Sequence, residues 1–219
     1  MTPAHTGILL AGGRSSRMGT TKALLELDGE ALLTHVARAL RPHCDDLILS
    51  VATAEYAPPD FVASLSMALS AAGATPVTVV RDREAHQGPV GGLATALAAA
   101  RGEWAFVTGC DSPFLAPDLV EGLLAHAQAG RALDVVLPVR DGRPEPLLAA
   151  YRTATMSRHF QAQLAAGGGS PTRDLDAVRV ARIDEETLRT LDPAGRSFVN
   201  VNDREDYQRA QARLAERTP

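Results

Sequence analysis

Apolar residues fall along this chain in two rhythms: short continuous runs, and longer stretches where they return every three or four positions. Thr6–Ala11 is a short run ending in glycines, and Leu47–Val51, Val77–Val80, Trp104–Thr108 and Val135–Val139 repeat the form. Runs of this length, apolar at successive positions, predict strands buried on both faces. Between them lie helical patterns. Leu32, Leu33, Val36, Ala37 and Leu40 share one face and are stopped by Pro42; Phe61–Ala72 runs to Gly73; Leu93–Arg101 is alanine-rich; Leu119–Ala129 is a fourth helix. Strand and helix in alternation predict an α/β protein: a mostly parallel sheet with helices on both faces, hence three layers.

The rhythm changes after Pro138. Asp141-Gly142 is a turn signal, and Leu147–Tyr151 reads as a strand returning antiparallel. Met156–Ala166 is helical and runs into Gly167-Gly168-Gly169-Ser170-Pro171, the most flexible stretch by composition. Val178–Ile183 predicts another strand. A last helix starts at Asp203, with Asp206 one turn on, two acids that suit the positive end of its dipole. The C-terminal portion of the sheet is therefore expected to be partly antiparallel. No repeat or linker divides the chain, so residues 1–219 are expected to form a single domain.

Composition narrows the function classes. The 219 residues are 45% hydrophobic and 22% charged, which excludes wholesale disorder. A net charge of −4 gives no global attraction to nucleic acid or an anionic membrane, and neither is an expected partner. Cys44 and Cys110, the only two cysteines, cannot build a disulfide framework or a cysteine zinc motif. The histidines at 5, 35, 43, 86, 126 and 159 show no metal spacing. Met1–Thr6 lacks the features of a signal peptide, and no apolar run reaches the ~18 residues of a membrane helix, so a cytoplasmic location is expected.

The strongest chemical signal is Leu10-Ala11-Gly12-Gly13-Arg14-Ser15-Ser16-Arg17-Met18-Gly19-Thr20-Thr21-Lys22, directly after the first strand. Glycines let backbone N–H groups approach an anion, and the basic side chains can neutralise phosphate charge. The segment fits neither the Walker pattern nor G-x-G-x-x-G. Its bland alternative is a surface turn with solvated charges. Asp111 follows the Trp104–Thr108 strand, where open parallel sheets bind ligands, and a carboxylate there can hold Mg²⁺; alone it also reads as a turn or helix cap. Asp82 follows the third strand in the same way. The glycines of Gly88-Pro89-Val90-Gly91-Gly92 serve either ligand approach or tight helix–sheet packing. Cys110 reads as buried packing.

On these residues the sequence resembles the nucleotidyltransferases that attach a nucleotide to the molybdenum cofactor, and among them the guanylyl-transferring members. Four further segments are similar and keep the family's order: Gly88–Gly92, Cys110-Asp-Ser-Pro-Phe-Leu115, Pro146-Leu-Leu-Ala-Ala-Tyr151 and Phe198-Val-Asn-Val-Asn202. The resemblance implies a Rossmann-like fold and transfer of GMP from GTP to molybdopterin. It implies nucleotide contacts from Leu10, Ala11, Gly12, Gly13, Lys22 and Asp82, with Asp111 as the Mg²⁺ ligand, and it places Asn200 and Asn202 on the acceptor side. Two departures stand out. Relatives often carry Ser-x-Asn after the second strand, where this chain has Ser50-Val51-Ala52-Thr53. The usual Gly-Pro-Leu-Ala-Gly is Gly88-Pro-Val-Gly-Gly92. The first loop tends to read Leu-Ala-Gly-Gly with GTP and Leu-Ala-Ala-Gly with CTP. Gly12-Gly13 therefore leans to GTP, a glycine where the CTP form has alanine leaving room for a purine.

Such a reaction needs no strong base, because an acceptor phosphate is already ionised; it needs two anions positioned and charge neutralised. Lys22, Arg17 and Asp111 are the expected catalytic groups. Gly167–Arg173 reads either as an acceptor-side element or as a loop without a role. The product is expected to reach molybdoenzymes or cofactor chaperones by transient contact. The alternatives are a cytidylyltransferase, a transferase acting on another small phosphate, and a non-catalytic nucleotide sensor or adaptor.

Overall fold

The computed structural model describes residues 5–12, 22–73, 76–85, 87–130 and 132–215. Strand β1 (His5–Leu10) is followed by the short hairpin β2 (Glu26–Leu27) and β3 (Glu30–Ala31) and by helix α1 (Leu32–Leu40). Next come β4 (Asp46–Val51), α2 (Pro59–Ala71), β5 (Val77–Arg81), α3 (Gly88–Ala99), β6 (Trp104–Gly109) and α4 (Pro117–Ala129) in strict alternation. The remainder is β7 (Val135–Arg140), β8 (Arg143–Pro144), β9 (Leu148–Arg152), α5 (Thr153–Ala165), β10 (Val180–Ile183), α6 (Glu185–Leu191) and α7 (Arg204–Ala215).

The main sheet runs β5-β4-β1-β6-β9-β7-β10, with β8 paired to β7 off that path. β1 pairs in parallel with both β4 and β6, while β9 is antiparallel to its neighbours β6 and β7. This is the expected mostly parallel, Rossmann-like sheet with an antiparallel insertion. The side-chain period of two splits the apolar strands between two cores. Leu9, Leu47, Leu49, Trp104 and Phe106 face α1, α2, α4 and α6. Ile8, Ile48, Ala105 and Val107 face α3 and α5. A small third cluster of Leu27, Leu32, Val201 and Ala210 ties α7 to the β2–β3 hairpin. Among the described residues no helix is long and apolar enough to cross a membrane.

Differences from the sequence reading have local causes. The β2–β3 hairpin was not expected, because two-residue strands carry no readable period. Its turn is Asp28-Gly29, with φ of 56° and 76°, the positive pair a tight two-residue hairpin requires. Helix α6 was missed because its seven residues make only about two turns; Asp184 caps it by accepting from the Thr187 N–H at 2.9 Å. Helices α2, α3 and α4 start earlier than their first apolar residues, each with a proline in the first turn. The last helix opens on a reciprocal cap: Asp203 accepts from the Asp206 N–H at 2.9 Å and Asp206 from the Asp203 N–H at 3.3 Å. The Gly167–Arg173 loop is tied to its own helix. Gln163 donates to the Ser170 carbonyl at 2.6 Å, and Arg173 turns back to the Gly168 carbonyl at 2.7 Å.

A buried polar knot fixes the opposite end of β1. The Thr6 hydroxyl donates to Asp46 at 2.8 Å and accepts from the Gly102 N–H at 3.0 Å, and Arg101 closes on the other Asp46 oxygen at 3.2 Å. Thr6→Val keeps the shape but leaves Asp46 one donor short and Gly102 without an acceptor. It is expected to cost about 2 kcal/mol in urea unfolding, with turnover per folded molecule unchanged.

Candidate functional site

Register brings the functional ends together. In β1, Leu10 lies beside Ser50 of β4 and Gly109 of β6. The backbone then continues the sheet one residue further on both sides: the Ala11 N–H donates to the Ser50 carbonyl at 2.8 Å, and the Cys110 N–H to the Leu10 carbonyl at 3.2 Å. The chain leaves β1 toward β4 and β5 and returns on the other side at β6, so a crevice opens at this switch of direction. It holds a cleft of about 820 Å³ lined by Leu10–Gly12, Lys22, Ser50, Thr53, Asp82, Gly88 and Asp111 among others.

On the β5 side, the Asp82 N–H donates to the Val51 carbonyl at 3.0 Å, which fixes the backbone that carries its carboxyl. Its Oδ1 is buried with no hydrogen-bond partner among the described residues. Burial pushes its pKa up to about 6. A buried carboxylate with no donor of its own is a waiting acceptor. The Thr53 hydroxyl on the same wall is likewise buried and unpartnered. A methyl placed on Gly12 would lie 3.6 Å from the Ala52 nitrogen and 3.7 Å from Asp82 Oδ2, ordinary contact distances. Among the described residues there is therefore room for a methyl there.

On the β6 side, burial raises the Asp111 pKa, the nearby Lys22 charge opposes that rise, and Asp206 adds to it. Gly109 makes this placement possible, since a Cβ there would sit 2.4 Å from Asp111 Oδ1. Lys22, at the start of a short 3-10 turn whose next residue Ala23 is buried, donates to Asn202 Oδ1 at 3.1 Å. It is the sole lysine in a chain with 22 basic residues, the rest arginine. Cys110 is buried and its thiol is pushed up to about 12, which makes it packing rather than a nucleophile.

The expected site residues Leu10, Ala11, Gly12, Lys22, Asp82 and Asp111 all line this cleft. Gly13 and Arg17 lie outside the described residues, as does His86. Asn200 and Asn202 do not themselves line the cleft: their segment is irregular and lies behind it, Asn202 accepting from Lys22 and Asn200 accepting from the Ser112 hydroxyl at 2.7 Å. The Gly167–Arg173 loop does not line the cleft. Two of the glycines before Leu93 serve packing: a Cβ on Gly92 would press Leu10 at 3.3 Å, and one on Gly91 would meet Gln87 at 2.6 Å. Sequence reasoning missed Gly109, Thr53 and Ser112. Gly109 ends β6, and Thr53 and Ser112 lie two and three residues past β4 and β6, which was the signal available. The lone lysine was another. Among the described residues no group of three or more His, Cys, Asp or Glu could hold a metal. A cation at Asp111 would need oxygens from a ligand to complete its shell.

This fold, with an ammonium and a carboxylate at the switch point, is that of a Rossmann-like nucleotidyltransferase. The chain belongs to the MobA-like NTP transferase family, whose domain model matches residues 7–180. It is 32% identical over 206 residues to a probable molybdenum cofactor guanylyltransferase of Pelotomaculum thermopropionicum, covering 94% of this chain and 91% of the relative. A molybdenum cofactor guanylyltransferase of Desulfosudis oleivorans is 31% identical, with 96% of each covered. Among solved structures, molybdopterin-guanine dinucleotide biosynthesis protein A from Archaeoglobus fulgidus superposes with a TM-score of 0.77 at 25% identity, covering 96% of this chain and 99% of that one.

Gly109→Ala is expected to rotate the Asp111 carboxylate out of place. Turnover should fall about 100-fold, as for a reacting group misplaced by ~1 Å, with little change in the urea midpoint. Asp82→Asn tests the other wall. An acid whose folded pKa lies above its unfolded value costs stability when pH exceeds both, and nothing when pH is below both. Removing the charge should therefore raise the thermal midpoint at pH 8. The gain should shrink as pH falls through about 6 and vanish near the ordinary carboxyl value of 3.8.

Proposed function

We propose that this protein transfers GMP from GTP to molybdopterin and releases pyrophosphate. The observation that carries the reading is the placement of Lys22 and Asp111, electrostatically coupled, at the carboxyl ends of β1 and β6 in a cleft of nucleotide size. The full-length likeness to guanylyltransferases supports it. Residues 1–219 act as one nucleotidyltransferase domain.

Leu10, Ala11, Gly12 and Gly13 would present backbone to the nucleotide, and Lys22 would meet its phosphates. Asp82 would take the base. An ionised carboxylate only accepts hydrogen bonds, and guanine offers two adjacent N–H donors on one edge where cytosine offers one. Gly12 leaves the space in front of Asp82 open. Asn200 and Asn202 would border the acceptor.

In the reaction a phosphate oxygen of the acceptor attacks the α-phosphorus in line. A new P–O bond forms, the bond to the β-phosphate breaks, and its electron pair leaves with pyrophosphate. Lys22 and Arg17 would stabilise charge as it moves to the leaving group. Asp111 fits a divalent ion by its hard oxygens and its burial beside a ligand-sized space, and Mg²⁺ bound there would draw charge from the phosphates. The setting is the cytoplasm, with hand-over to molybdoenzymes or cofactor chaperones by transient contact.

The test is pyrophosphate release by the purified protein with molybdopterin, Mg²⁺ and GTP, CTP or ATP. GTP is expected to be fastest. Faster transfer with CTP would make it a cytidylyltransferase, and binding without release would make it a sensor. Asp111→Asn should abolish most turnover in a folded protein, and Lys22→Ala should raise the KM for GTP and lower the rate. Near-normal kinetics for either would remove that residue from the site.

A further inference from the structure

The segment after Phe198 returns from the far end of the chain and is bonded at three points to the cleft wall and the residue behind it. The Val201 N–H donates to the Asp111 carbonyl at 2.8 Å, Asn200 accepts from Ser112, and Asn202 accepts from Lys22 at 3.1 Å. Val201 itself is fully buried against Leu27 and Leu32, so the segment is anchored rather than draped over the surface. Asp206 holds the next point along, accepting from the Asn202 N–H at 2.8 Å.

From this geometry we infer that Asn202 is a positioning residue for the Lys22 ammonium, acting on nucleotide binding through its carbonyl oxygen. The choice of side chain matters. Lysine carries a point charge on a flexible stem and loses much rotamer freedom when it must meet a phosphate at one place. An amide oxygen fixes the ammonium while leaving its full charge available to a triphosphate. A carboxylate at the same place would pair with the charge and repel the phosphates. Asp206, the carboxylate next to Asn202, is engaged by the N–H groups of residues 202 and 203 and by Arg209. The segment thereby braces two charged groups of the cleft: Lys22 through a side chain and Asp111 through its backbone.

This inference rests on the nucleotide-binding reading of the cleft, and its test separates the two. GTP affinity is measured by calorimetry with Mg²⁺ and no acceptor, for the unsubstituted protein, Asn202→Ala, Lys22→Ala and the double variant. Asn202→Ala should weaken GTP binding about fivefold to tenfold, the net worth of one ordinary hydrogen bond, because the amide acts on the ligand only through the lysine. The double variant should be no weaker than Lys22→Ala alone, because Asn202 acts only through the lysine. Asn202→Asp keeps the shape and the oxygen, so it guards against a folding artefact; it should bind GTP more weakly than the parent while unfolding at the same or higher temperature. A second readout uses the lone lysine. Reductive methylation with labelled formaldehyde gives Lys22 a single side-chain methyl signal, which Asn202→Ala should shift in the free protein. Unchanged GTP affinity in Asn202→Ala, additive losses in the double variant, or an unmoved methyl signal would overturn the positioning role. Failure of the unsubstituted protein to bind GTP would overturn the nucleotide reading and this inference with it.

Discussion

Burial of two carboxyl groups at the open end of a hydrophobic sheet governs the rest of this molecule. Asp82 and Asp111 both follow the ends of parallel strands, and desolvation raises the pKa of each. An uncompensated buried charge is costly unless something else holds it in place. Here the backbone does so. Asp82 continues the β4–β5 pairing through Val51, and Asp111 is held between the ends of β6 and the returning C-terminal segment. The two apolar cores on either side of β1, β4 and β6 supply the stability that lets the cleft stay charged and unsatisfied.

The antiparallel insertion of β9 has a consequence for the site. It lets the chain reverse after β7 and still leave β7 parallel to β6, so the last third of the sequence can run back toward the cleft. There Asn200, Val201 and Asn202 make their contacts before α7 begins. The reciprocal cap between Asp203 and Asp206 sets where that helix starts and so fixes the register of Asn202 against Lys22. Local helix chemistry thus positions a group some 180 residues distant in sequence.

Most of the sheet was legible because strands buried on both faces are written as unbroken apolar runs, and Thr6–Ala11, Leu47–Val51 and Trp104–Thr108 are such runs. Helix starts were less legible: proline and glycine at Pro59, Gly88 and Pro117 look like loop residues until their place at the first turn is seen. Lys22, Asp82 and Asp111 were legible because each lies at a strand end or beside glycines. The contact of Asn202 with Lys22 was not, since the chain from Val199 to Asn202 is irregular. No local pattern encodes a partner that far away. Gly109 was hidden for another reason: its role depends on where the side chain two residues later points.

A crystal structure of the protein with GTP and Mg²⁺ tests the account most directly. The guanine edge is expected on Asp82 in front of Gly12, with the triphosphate between Lys22 and Asp111. A nucleotide bound away from these three side chains, or a base turned away from Asp82, would contradict it.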